Sequence, residues 1–138
     1  MAVVALPHAA ASAAVARRRL VADLRRQGVA TEAIADAELV LAEMVGNAVR
    51  HARPLPGGEL RAGWEVRNDS VVVRVTDGGA PTLPRVQRQI DLDRGIDRET
   101  VEAERGRGLA IVAAVASDWG AERLDGGLRT WATIDLTT

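Results

Sequence analysis

The 138-residue chain contains no cysteine, no lysine, no phenylalanine and no tyrosine. Without cysteine there is no disulfide, no thiolate metal site and no cysteine nucleophile, a composition compatible with a reducing cytosol. Without lysine there is no Walker-type phosphate loop, whose Lys reaches the nucleotide phosphates, and no Schiff-base chemistry. The 18 basic residues are therefore all arginine, and they are scattered among 19 acids for a formal net charge of -1. That distribution offers no basic face, so direct nucleic-acid binding is not expected. No apolar run approaches the roughly 18 residues of a membrane span, and Ala2 to Leu6 is too short for a signal-peptide core. The expectation is a soluble, cytoplasmic protein without membrane contact. The length suits one domain, residues 1–138, able to bury roughly two-thirds of its unfolded surface.

What is present reads as alternating helices and strands. Val3 to Leu6 is a short strand ended by Pro7, and Ala10 to Gln27 is a helix with Ala13, Ala16, Leu20 and Leu24 inward and Gly28 as its stop. A second helix starts with Thr31 as N-cap and ends before Pro54. Glu59 to Arg67 and Ser70 to Thr76 form a hairpin about Asn68-Asp69, and Trp119 to Leu124 with Leu128 to Leu136 form another about Asp125-Gly126-Gly127. Leu109 to Ala116 is a short apolar helix. Between Pro81 and Arg105 charges dominate and no regular apolar stripe survives, which suggests a mobile segment. Asp91, Asp93, Asp97 and Glu102 resemble a calcium loop only superficially, because Ile96 stands where its turn glycine is required. The three tryptophans, Trp64, Trp119 and Trp131, fall in strands and read as packing residues.

Three stretches carry chemistry. In Glu38 to Ala52 the apolar positions Leu41, Val45 and Ala48 continue from Ile34 as one helical stripe, into which Glu43 and Asn47 insert a carboxylate and a carboxamide at i, i+4. That pair suits a proton acceptor beside a hard cation, although on a lone helix it equally describes a solvated edge. Asp77-Gly78-Gly79-Ala80-Pro81 ends a strand with exposed amides and a carboxylate, or is a simple turn. Gly106-Arg107-Gly108 opens the helix at Leu109, where free amides and a positive helix end suit an anion.

In this order the three stretches resemble the N, G1 and G2 boxes of the GHKL ATPase superfamily of gyrase, heat-shock chaperone, histidine kinase and MutL proteins. The resemblance covers nearly the whole chain. ELVLAEMVGNAVRHA and GRGLAIVAAVASDWG are most similar to the stand-alone anti-sigma factor serine/threonine kinases. The resemblance implies a Bergerat ATP-binding fold: an α/β two-layer (α+β) sandwich, its mixed, mainly antiparallel sheet carrying helices on one face, with residues 82–105 as a mobile ATP lid. It implies ATP and Mg²⁺ as cofactors, Glu43 as general base and Asn47 as magnesium ligand. Asp77 would accept the adenine amino group, Gly79 would admit the base, and Gly106, Arg107, Gly108 and Leu109 would bound the phosphates. Arg17 falls about where these kinases have a first-helix arginine near the nucleotide. The family often has a Thr in its adenine site, and Thr130 falls one residue off that register. His51, within the helix, suits packing or a hydrogen bond rather than phosphotransfer. Implied partners are an anti-sigma factor antagonist and a sigma factor, with a possible homodimer. The alternatives are a non-catalytic ATP-binding regulatory module and an interaction domain without nucleotide.

Overall fold

In the computed structural model, residues 1–79, 95, 96, 98 and 109–136 are described. They form β1 (Ala2–Pro7), α1 (Ser12–Arg26), α2 (Thr31–His51), β2 (Glu59–Val66), β3 (Ser70–Asp77), β4 (Gly95–Ile96), α3 (Leu109–Val115), β5 (Asp118–Leu124) and β6 (Gly127–Asp135). The sheet runs in the order β1-β2-β3-β6-β5-β4. Every described pairing is antiparallel, purer than the mixed sheet expected from the sequence. None of the described helices is long and apolar enough to cross a membrane.

The two layers follow from side-chain alternation. Val71, Val73 and Val75 of β3 stand on the same face as Ala62 and Trp64 of β2 and Ala132 and Ile134 of β6, all buried. Against this face lie Leu20 and Leu24 of α1 and Val40, Leu41 and Val45 of α2, also fully buried. Removing a leucine or valine side chain from water contributes about 1.5–3 kcal/mol each, so this interlayer core holds the sandwich together. Helix α1 ends as its sequence promises: Gly28 has φ +78, its N–H bonds to Arg25 O, and Val29 N–H bonds back to Leu24 O, the paired bonds of a Schellman cap.

Local details depart from the sequence expectation. Thr31 is the first helical residue, not the N-cap; Ala30 already has the extended backbone of a cap and makes no side-chain capping bond. The last hairpin turns on Asp125-Gly126 alone, with Gly126 at φ +80, and Gly127 belongs to β6 opposite Leu124. Of the 82–105 segment only Gly95, Ile96 and Arg98 are described, and the first two add a sixth strand beside Glu122 and Ala121. Two residues carry too little pattern to announce a strand; β5 supplies the template. Arg98 then stacks over Trp119 at 5.1 Å and donates to Trp119 O at 2.9 Å.

Asp23 ties α1 to the sheet by accepting from Trp64 Nε1 at 2.8 Å, and it also accepts from Arg26 and Gln27. The Arg26 hydrogen bond, followed by that of Trp64, holds its carboxyl below the ordinary aspartate range. A depressed folded-state pKa gives stability that is present above the unfolded value and is lost as pH falls through the folded one. Asp23→Asn should therefore flatten the acid limb of the stability curve below about pH 4, as read by urea melts at successive pH values. An unchanged acid limb would count against the assignment.

Candidate functional site

Helix α2 positions two of the expected residues. Asn47 is 2% exposed among Met44, Val45 and Ala48, while Glu43, one turn earlier, is half-buried on the adjoining surface. The carboxamide is incompletely satisfied. Its Oδ1 accepts from Arg50 Nη2 at 3.2 Å, whereas Nδ2 finds no hydrogen-bond acceptor among the described residues. Burying such an N–H₂ without a partner costs about 1–3 kcal/mol, which a ligand oxygen placed there would recover. His51 is exposed in the last turn of α2, so of the packing or hydrogen-bonding role expected for it, packing does not hold.

The end of α2 is latched to the end of β3. Gly78 N–H donates to Arg53 O at 2.7 Å, and Arg53 N–H donates to Gly79 O at 2.9 Å. Asp77, 1% exposed, accepts from Gly79 N–H through Oδ1 at 2.8 Å, which closes the loop into a tight turn. The adjacent glycines serve different needs. Gly79 has φ +84, and a Cβ there would meet nothing within 4 Å. A Cβ on Gly78 would lie 2.3 Å from Pro54 O and 2.8 Å from Arg53 O. Gly127 is constrained similarly, because a Cβ there would stand 2.4 Å from Asp77 O. Backbone contacts thus hold the main chain around Asp77, and the Gly79 amide orients its carboxylate.

Strand β6 adds a residue whose register the sequence misplaced. Asp77 pairs with Leu128 and Val75 with Thr130, so Thr130, 7% exposed, stands on Asp77's face of the sheet, one diagonal step away. Arg50 and Gly78 were also missed. The i, i+3 spacing of Asn47 and Arg50 could have revealed the first; nothing local reveals the second.

Helix α3 packs against α2, with Leu109 and Val112 in the shared core. The side chain of Leu109 is therefore a packing group. Gly106, Arg107 and Gly108 lie outside the described residues, as does Arg105. Arg17 faces Glu38 at 3.8 Å in a groove lined also by Arg18, Val21 and Arg25. Glu43, Asn47, Asp77 and Thr130 thus belong to the helix-facing side of the central strands and to α2, which packs on β3 and β6.

Among the described residues no group of three or more His, Cys, Asp or Glu could hold a metal ion. A divalent cation held here would draw on Asn47 Oδ1 and take its other ligands from a bound phosphate chain and water, the usual habit of Mg²⁺. The buried amide fits that use, provided that Arg50 releases its oxygen. Matched against known families, residues 6–134 fit the model described as the histidine kinase-like ATPase domain. No curated protein matches the chain.

Proposed function

Because the chain belongs to the histidine kinase-like ATPase domain family, an ATP-binding branch of the GHKL superfamily, we propose that it is a serine/threonine protein kinase of the anti-sigma factor type. On this reading it uses ATP to phosphorylate a serine or threonine of an anti-sigma factor antagonist and, when free of it, sequesters a sigma factor. The observation that carries the reading is the half-buried Glu43 carboxylate one turn before the buried, half-satisfied Asn47. A family member that only senses nucleotide has no need of a proton acceptor at that point.

The residues divide the work. Asp77 accepts the adenine amino group, which rejects guanine because a carbonyl stands at the corresponding position. Asn47 Oδ1 would hold Mg²⁺ once Arg50 withdraws. Such an ion would supply positive charge beside the phosphate oxygens. Glu43 takes the proton from the attacking hydroxyl as the new P–O bond forms and the bond to the ADP leaving group breaks. Gly106, Arg107, Gly108 and the backbone at Leu109 would close over the phosphates. A homodimer in the cytoplasm completes the reading.

Incubation with γ-labelled ATP and candidate antagonist proteins tests it. Label on an antagonist serine or threonine is the expected result; no transfer with ATP binding intact would replace the kinase by a non-catalytic nucleotide module. Asp77→Ala should weaken ATP binding by roughly 10- to 100-fold in calorimetry, the worth of one hydrogen bond to a charged group. Should ATP·Mg²⁺ fail to raise the melting temperature of the unaltered protein, nucleotide binding itself would be in error.

A further inference from the structure

The sheet face turned away from the helices also carries a site-like arrangement, and the proposed kinase reading does not use it. Arg61 of β2, Arg74 and Thr76 of β3 and Arg129 of β6 stand on that face, since each alternates with residues of the helix-facing set and Thr76 pairs with both Arg61 and Arg129. They line one concavity of about 190 Å³ together with Met1, Val3 and Leu124. Ala62 and Gly63 complete the lining, where a Cβ on Gly63 would come to 3.2 Å from Ala2 O, and no described lining residue is acidic. The face also carries Glu59, Glu65 and Glu122, each beside one of these arginines, so charges of both signs interleave on it as they ordinarily do.

The carboxylates near these arginines compensate them unequally. Arg129 is firmly bound to Glu122, with Nε at 2.6 Å from Oε1. Arg61 is 58% exposed and only 3.7 Å from Glu59. Arg74 is 22% exposed, and its carboxylate, Glu65 at 3.6 Å, is held closer by Arg67 at 3.1 Å. Arg74 Nη1 donates to the thioether sulfur of Met1 at 3.0 Å. A thioether is a weak acceptor for a largely buried guanidinium, which is the group best suited to bind carboxylate or phosphate through two parallel bonds.

We propose that this concavity is a second binding site, for a small oxyanion, carboxylate or phosphate, attached to a short apolar body. The guanidinium groups of Arg61 and Arg74 and the Thr76 hydroxyl take the head, and Val3, Met1 and Leu124 flank the body. The volume suits a small metabolite-sized anion and is below that of drug-sized ligand pockets. The site lies back to back with the one on the helix side: Thr76 adjoins Asp77, and Arg129 adjoins Thr130.

Backbone ¹H–¹⁵N spectra of the full chain, titrated separately with inorganic phosphate and with butyrate, test the proposal. Saturable shifts at Ala62 and Gly63 are expected with at least one anion, and which of the two gives them identifies the head group. Arg74→Gln should weaken that binding about tenfold or more, as loss of a charge-assisted bond implies. Arg61→Gln, at an exposed position that the fold does not need, should weaken it in the same direction. The proposal is overturned if neither anion gives saturable shifts at Ala62 and Gly63, or if both variants bind as the parent does. Shifts confined to Gly78 and Gly79 would also overturn it, since they would put the anion in the helix-side site.

Discussion

Exchange of Glu43 for Gln is expected to reduce phosphoryl transfer by at least about a hundredfold while changing ATP affinity by less than about threefold. The lower bound follows from the worth of general-base catalysis, about 10²–10⁴-fold. The small binding effect follows from position: Glu43 stands one turn from the amide that would face the cation, and it is half-buried, so an isosteric neutral amide keeps the packing. Gln has the volume of Glu but cannot take the hydroxyl proton at neutral pH. A single-turnover assay beside calorimetry separates the two quantities, because loss of a group needed only at the transition state lowers kcat and leaves the nucleotide bound. If Glu43→Gln transfers phosphate at the parental rate, the base lies elsewhere and the kinase mechanism proposed above fails.

The second large effect is structural. Gly78→Ala should be more damaging than Gly79→Ala, although only Gly79 has a left-handed backbone. At Gly79 the substitution strains φ +84 but meets open space, a cost of about 1–2 kcal/mol. At Gly78 the new methyl would sit 2.3 Å from Pro54 O, a backbone atom that cannot swing aside. The latch must therefore part. Overpacking costs typically 1–3 kcal/mol, and the two backbone hydrogen bonds at 2.7 and 2.9 Å contribute about 1 kcal/mol each. A loss of roughly 3–5 kcal/mol against a total of about 5–15 should lower Tm by about 10–20 °C. Asp77 loses its alignment with α2 in the same step, so ATP affinity should drop with it. Thermal melts of both variants decide the matter; equal or greater damage at Gly79 would show that the latch is not what holds the loop.

That ordering could not have been predicted from the residues alone. In the sequence, Asp77-Gly78-Gly79 is a turn with two equivalent glycines, and the family resemblance singles out Gly79. Local patterns placed the helix pair and the turn, because their causes are local: a 3.6-residue period puts Glu43 beside Asn47, and an Asp-Gly pair whose glycine has φ +80 turns β5 into β6. The layered α/β architecture was equally legible, since alternating valines in β3 and the leucine stripes of α1 and α2 can be buried only against one another.

Long-range placement belongs to the tertiary structure. The match of residues 6–134 to the histidine kinase-like ATPase domain agrees with the order of the motifs, but not one of them gives a cross-strand register. Thr130 appeared one residue out of place until pairing of Asp77 with Leu128 put it on the aspartate's face. Arg50 drew no role from the sequence, whereas its guanidinium lies on Asn47 Oδ1. Arg61, Arg74 and Arg129, separated by 13 and 55 residues, converge only because the order β2-β3-β6 makes them neighbours on one exposed face. The sequence by itself determined which chemical groups this protein has and on which local elements they ride, because helix period and turn conformation depend on adjacent residues. Only the tertiary structure decided which of those groups meet, because strand order, register and the approach of Arg53 and Pro54 to Gly78 join residues distant in the chain.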